Sequence, residues 1–345
     1  MSKRRVAFYL IFILMIGLFL RIYGLDKYDF WHDEAASIIL SENLTLQSAL
    51  NYLIFPYPPS TIPFLFYFLL KFWMLLGKSE FILRLLPLTF GFLCIIGVYF
   101  LGKALLNKKA GLIGAMLLAI SPFHIYYSQE LRAYTFFTFL SLISIYFFVK
   151  VLEESKLSSW IWFVFFTALC SYAHSTSLFL LLAENVYFFL FYKRYKKVRL
   201  RWWISQLTIL LLYAPWFVVL FRQAIMTKTV STFFFWIPQP SIKKIIHTFN
   251  VFNLGYHATK AMYLCAIFTF FPLFLLGIWE AGREKAKICL LLCCLFVPII
   301  MAILISFSLK PTSIYLYRVF INISPACFII NAREVSRISD EVIPI

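Results

Sequence analysis

Two short stretches hold residue types that could do chemistry. Phe30-Trp31-His32-Asp33-Glu34-Ala35-Ala36 sets two adjacent carboxylates just after the first long apolar segment. Ser128-Gln129-Glu130-Leu131-Arg132-Ala133-Tyr134 sets a third acid, two residues before an arginine, after another apolar run. Acids beside a membrane span are costly unless they face water, a partner or a substrate. A carboxylate so placed can take a proton from an incoming hydroxyl. Arginines and lysines at the same level can hold an anionic phosphate. Either stretch alone reads as an ordinary wet loop. Together on one side of a membrane they make a candidate site.

The elements that must position them follow from composition. Of 345 residues, 62% are hydrophobic and 14% charged, with a mean hydropathy of +0.85. That balance excludes a soluble domain. Helices satisfy their own backbone groups in lipid, so the expected fold class is all-α: a polytopic transmembrane helical bundle of about 10 spans, with amphipathic helices on its outer face. Lys3, Arg4 and Arg5 precede an apolar run over residues 6–20. No small-residue cleavage site follows, so the run reads as a retained span. The net charge of +17 would suit nucleic acid. The basic residues instead fall mostly in short loops, as membrane orientation requires, so no nucleic-acid partner is expected. Cys289, Cys293 and Cys294 sit at helical spacing in an apolar run and read as packing residues.

Span one, residues 6–23, starts in the cytoplasm and delivers Asp33 and Glu34 to the outer face. Residues 35–55 read as amphipathic surface helices. Pro56-Tyr57-Pro58-Pro59 leads to the apolar run 61–76, short for a crossing and containing Lys71. If that run dips into the outer leaflet and returns, the basic loop at 103–109 is cytoplasmic and Glu130 joins Asp33 outside. The remaining spans are then 83–106, 110–127, 134–149, 160–172, 178–192, 202–221, 261–279, 288–307 and 319–330, with a polar tail after them. One membrane-embedded domain is expected over 1–345: a catalytic module over about 1–221, further spans over 222–331, and no soluble C-terminal domain. The expected location is the plasma (inner) membrane, with the site on the extracytoplasmic face.

In that topology Arg84, Arg132 and Arg318 lie level with the acids, as do Lys71 and Lys78. Carboxylates beside cations at a lipid–water boundary suit a substrate that is half lipid and half polar, such as a polyprenyl-phosphate sugar. Its phosphate needs Arg or Lys, and its acceptor hydroxyl needs a base. The alternative for these arginines is snorkelling at helix ends.

The chain resembles the GT-C superfamily of membrane glycosyltransferases, within it the dolichyl-phosphate-mannose protein mannosyltransferase and aminoarabinose lipid A transferase branch. The residues that carry the likeness are Leu20-Arg21, Asp33-Glu34-Ala35, Tyr57-Pro58-Pro59, Gly77-Lys78-Ser79-Glu80-Phe81-Ile82-Leu83-Arg84-Leu85, Ser121-Pro122, the stretch Ser128 to Tyr134, and Tyr317-Arg318. The resemblance covers roughly residues 10–330. It implies an inverting transferase that moves a sugar from a polyprenyl-phosphate donor to an acceptor hydroxyl on protein, lipid or glycan. By analogy Asp33 is the base, Glu130 the second acid, with Glu34 beside them, and Arg318 a phosphate partner. Arg84, Arg132, Tyr134, Lys71 and His174 complete the expected substrate-binding set. Family members usually continue beyond the last matched span, and the tail 331–345 looks unlike those further spans.

No metal site is expected, although some GT-C enzymes use a divalent ion. His32 and His174 could join carboxylates in a metal site, but lone histidines near span ends more often find a backbone partner. Glu184, in mid-span, reads as structural or as part of a pathway. Two rival classes remain. A lipid-linked-substrate transporter or flippase would cluster its ionisable groups at the midplane. A truncated, non-catalytic member or scaffold would tolerate loss of both acidic loops.

Overall fold

A computed structural model describes residues 1–45, 64–154, 156–227, 237–308 and 313–342. All regular elements among them are helical. Helix α1 (Lys3–Ile22) is capped by Ser2, whose side chain accepts from the Arg5 amide. It is followed by α2 (His32–Asn43), α3 (Leu65–Trp73) with a 3₁₀ turn Met74–Leu76, and α4 (Glu80–Leu105). Then come α5 (Lys108–Ile120), α6 (Pro122–Ser128), α7 (Tyr134–Glu153), α8 (Leu157–Ala173), α9 (Ser177–Leu190) and α10 (Arg199–Thr227). The chain closes with α11 (Ile242–Leu254), α12 (Lys260–Trp279), α13 (Lys285–Ser308), a 3₁₀ helix Tyr317–Ile323 and α14 (Ser324–Val342).

Six helices among the described residues are long and apolar enough to cross a membrane, seven if α5 and α6 count as one bent span. Three more apolar helices, Leu65–Leu76, Leu157–Ala173 and Ser177–Leu190, are shorter. The chain is therefore an integral membrane protein of the helical type. The expected span over 110–127 is broken: α5 and α6 meet at a 62° bend. Ser121 makes the break, because its backbone is extended, its side chain caps the His124 amide, and Pro122 starts the next helix.

The scaffold is the packing of α4 against α5 and α7, and of α7 against α8. The α4–α5 contact is close because glycines face each other. A Cβ on Gly111 would stand 2.6 Å from the Tyr99 carbonyl oxygen, and one on Gly102 would stand 2.9 Å from the Gly111 Cα. Small residues at such a crossing let two backbones approach in lipid.

Helix α3 with its 3₁₀ turn spans about 18–20 Å, short of a bilayer core of about 30 Å. Lys71 donates to the Leu44 carbonyl and Lys78 reaches Glu42 at 2.6 Å, so this helix packs at the C-terminal end of α2. Residues 61–63, the start of the expected dipping run, and Tyr57-Pro58-Pro59 lie outside the described residues, as does most of the stretch 35–55 beyond α2. The polar tail after residue 330 is instead the second half of α14. Asn331, Glu334 and Ser336 are buried there, and Arg333 pairs with Glu284 at 2.8 Å. Cys293 and Cys294 are buried in α13 as unbridged thiols.

Candidate active site

The ends of α1, α6 and α8 and the starts of α2, α4, α7 and α9 meet at one end of the bundle. Glu34 is the third residue of α2 and is almost fully buried, 2% exposed. Its carboxylate accepts from Arg84 Nε at 3.0 Å and Arg84 Nη2 at 2.7 Å. It also accepts from the Leu131 amide at 2.8 Å and, at the α2 N-terminus, from the Trp31 amide at 3.3 Å. The negative charge also suits the positive end of the helix dipole. Arg84 donates further to the carbonyls of Leu25, Tyr28 and Asp29. All five guanidinium hydrogens are thereby used within the protein. The pair ties together the first acidic loop, the second acidic loop and α4.

Asp33, one residue earlier, differs in surroundings. Its side chain is 28% exposed, and Oδ2 lies 3.3 Å from Arg318 Nη1. Its own carbonyl accepts from Ser37 Oγ and from Arg132 Nη1. Arg132 also donates to Ser37 Oγ at 3.2 Å, again through Nη1, and is half-buried. Its Nε and Nη2 make no hydrogen bond among the described residues.

Glu130 is buried at 5% exposure, and its Oε1 has no hydrogen-bond partner. Burial pushes its carboxyl up to about 8; Arg132 and Arg318 pull it down, while Glu34 and Asp33 add to the rise. At neutral pH this group is mostly protonated, so it can donate a hydrogen bond. The site thus holds one part-exposed carboxyl group, Asp33, and one buried carboxyl group, Glu130, within the influence of two arginines.

The sequence-expected residues separate into two sets. Asp33, Glu130, Arg132 and Arg318 come together, with Tyr134 beside them: its nearest charges include Arg318, Arg132 and Glu130. Glu34 and Arg84 bond to each other, and Lys71 donates to the Glu42 and Leu44 carbonyls at the end of α2. His174 bonds Thr176 Oγ1 at 2.8 Å and stacks on Phe137. Burial, helped by Arg132 and Arg318, lowers its pKa to about 4, so it is neutral. His32 is 93% exposed at 3.7 Å from Asp33. Among the described residues no group of three His, Cys, Asp or Glu is arranged to hold a metal.

Arg21 has a role that composition did not reveal. It is fully buried and donates to the carbonyls of Leu118 and Ala119 and to Ser128 Oγ. They lie in the last turn of α5, where the break at Ser121 takes away the usual i+4 donors and the Ser121 amide reaches Leu118 at 3.3 Å. Gln129 Nε2 completes the tie by donating to the carbonyls of Arg21 and Tyr23. A charge in the last turn of an otherwise apolar span was the available signal. The Tyr127–Tyr256 hydroxyl pair, at 2.7 Å, had none.

The all-helical membrane scaffold shares its fold with solved membrane proteins. ArnT from Cupriavidus metallidurans in its apo state superposes with a TM-score of 0.66 at 12% identity, over 97% of this chain and 61% of that one. The oligosaccharyltransferase of Archaeoglobus fulgidus in its apo form gives 0.62 at 13%, over 99% and 51%. ArnT bound to undecaprenyl phosphate gives 0.61 at 13%, over 96% and 60%. The chain spans about half to three-fifths of the length of these structures. Within it, residues 59–221 match the family described as dolichyl-phosphate-mannose-protein mannosyltransferase. The resemblance read from the sequence thus holds for fold and family match. No curated protein matches by sequence.

Proposed function

We propose that the chain is an inverting glycosyltransferase that moves a sugar from a polyprenyl-phosphate donor to an acceptor hydroxyl. The observation that carries this reading is an open carboxylate, Asp33, ion-paired to Arg318 beside the buried acid Glu130. The match to the mannosyltransferase family and the likeness to ArnT solved with undecaprenyl phosphate support the donor class.

The donor phosphate lies between Arg318 and Arg132, both of which keep unused donors. Arg318 then turns from Asp33 to the phosphate, which releases the Asp33 carboxylate. Asp33 takes the proton of the acceptor hydroxyl as the oxygen attacks C1 of the sugar. The new C1–O bond forms on the face opposite the breaking C1–O–phosphate bond, which inverts the anomeric centre. The leaving polyprenyl phosphate keeps the bonding electron pair. Glu130, protonated, donates a hydrogen bond to a phosphate oxygen and assists departure. Glu34 and Arg84 fix the loop that presents Asp33. Tyr134 and His174 form a neutral wall of the sugar pocket.

The site end is also an interfacial end: Tyr23, Tyr28, Trp31 and Tyr126 are exposed there, as expected of an aromatic belt. Positive-inside bias supports an outward orientation for this end, with the inner membrane as the proposed location. Membranes bearing the protein, given radiolabelled polyprenyl-phosphate sugar, should transfer label to an endogenous acceptor. Transfer that survives both Asp33→Asn and Glu130→Gln would refute the reading; solute movement with both residues dispensable would identify a transporter.

A further inference from the structure

The bundle holds a second polar site, at the end away from Asp33. A cavity of about 330 Å³ opens there between α4, α7, α9, α13 and the loop after α9. Leu105, Val149 and Leu290 give it an apolar floor. Lys287, Arg194 and Glu153 stand on its rim with Tyr187 and Tyr195, whose hydroxyls meet at 2.9 Å. Glu153 is the last residue of α7 and Tyr134 the first, so about 30 Å of helix separates this cavity from the acids. That is one hydrocarbon thickness, which puts the two sites in opposite leaflets.

We propose that this cavity binds the phosphate headgroup of an anionic phospholipid in the leaflet opposite Asp33. Its cations are available for a ligand. Among the described residues Lys287 is held by the Ala104 carbonyl at 3.4 Å and by Glu153 at 3.8 Å. Among the described residues the Arg194 guanidinium has no hydrogen bond or ion pair, and rests 5.9 Å from the Tyr195 ring. Two cations, one partly exposed carboxylate and the tyrosine hydroxyls suit a phosphate diester better than a neutral sugar or a cation. The setting supplies the rest of a lipid. Exposed Lys193, Lys196 and Lys197 raise the local positive potential, which concentrates anionic lipid. Exposed Phe189, Leu190 and Trp203 flank the loop with surface that acyl chains can cover. The apolar floor accepts the glycerol backbone and the first methylenes. This inference does not depend on sugar transfer.

The test is lipid retention by the full chain, delipidated in neutral detergent and read by native mass spectrometry. Phosphatidylglycerol should be retained about 10–30-fold more strongly than phosphatidylcholine. The double variant Lys287→Ala/Arg194→Ala should bring phosphatidylglycerol down to the phosphatidylcholine level. Lys287→Arg/Arg194→Lys keeps both charges and should retain it, which separates lost binding from lost folding. Glu153→Gln removes the carboxylate that competes for Lys287 and should strengthen retention. Lys156→Ala, exposed at the same end, should change nothing. Equal retention of the two lipids, or an unchanged double alanine variant, would overturn the proposal. So would competition by soluble glycerol 1-phosphate at the affinity of the lipid, since the cavity would then take a free phosphate.

Discussion

The Oδ2 atom of Asp33 lies 3.3 Å from Nη1 of Arg318, a residue 285 positions further along the chain. The 3₁₀ helix Tyr317–Ile323 packs on α7 and so carries Arg318 to the mouth of the first acidic loop. The other oxygen, Oδ1, lies 3.7 Å from Nδ1 of the exposed His32, and the side chain is 28% exposed. Asp33→Asn should therefore lower transfer by about 10²–10⁴-fold, the usual cost of removing a base, with thermal stability and donor binding retained. Initial rates and a melting curve on the same preparation check this. Near-normal turnover would remove Asp33 from the proton transfer.

Glu34 should behave in the opposite way. Glu34→Ala leaves Arg84 buried without its counter-ion, a loss of about 3–5 kcal/mol where such pairs are broken. The variant should melt well below wild type and lose activity with the fold of the two loops. Glu34→Gln retains acceptor oxygen and shape and should lie between. Full stability of Glu34→Ala would show that the Arg84 pair does not hold the loops.

Much of this was legible in the chain, and the limits have physical causes. The long apolar runs marked α1, α4, α7, α12 and α13, because a span must be long and apolar whatever surrounds it. Asp33, Glu130, Arg132 and Arg318 were found as acids and cations at span ends. Sequence could not separate Arg84 from Arg318, since an arginine beside a membrane looks alike whether its partner is the buried Glu34 or the part-exposed Asp33. The second half of α14 read as a tail because its polar residues find partners far away: Arg333 pairs with Glu284 in the segment before α13. Such compensation is a property of the fold and leaves no local pattern.

Arg318→Ala should weaken donor binding by about 2–4 kcal/mol, because a charge partner of the phosphate is lost. Arg318→Lys should recover part of it, as a point charge without the planar fork. Titration of the protein with polyprenyl phosphate gives the affinities. An unchanged affinity in the alanine variant would mean that Arg318 serves Asp33 alone.

Arg21→Met should destabilise the protein through the bend between α5 and α6. It orphans the Ala119 carbonyl, on the order of 1–3 kcal/mol when no water replaces the donor, and leaves Leu118 to the Ser121 amide at 3.3 Å. Because Ser128 precedes the Glu130 loop, kcat should also fall while donor affinity changes little. A melting curve and separate kcat and KM values read the two effects. A wild-type melting point would mean that the bend holds without Arg21.

The last expectation concerns pH. Glu130 is raised to about 8, first by burial, so at neutral pH it carries a proton that an unfolded chain, near 4.5, would have lost. The sign for stability follows: the contribution of this group is full below about 4.5 and is lost as pH rises towards 8. If the protonated acid assists the leaving phosphate, kcat should also fall as pH rises through about 8. Glu130→Gln keeps a donor that cannot ionise. It should lower the rate moderately, because an amide is a weaker donor than an acid, and it should flatten that alkaline limb. An alkaline limb unchanged in Glu130→Gln would assign the titration to another group and leave Glu130 as a packing residue beneath Arg132.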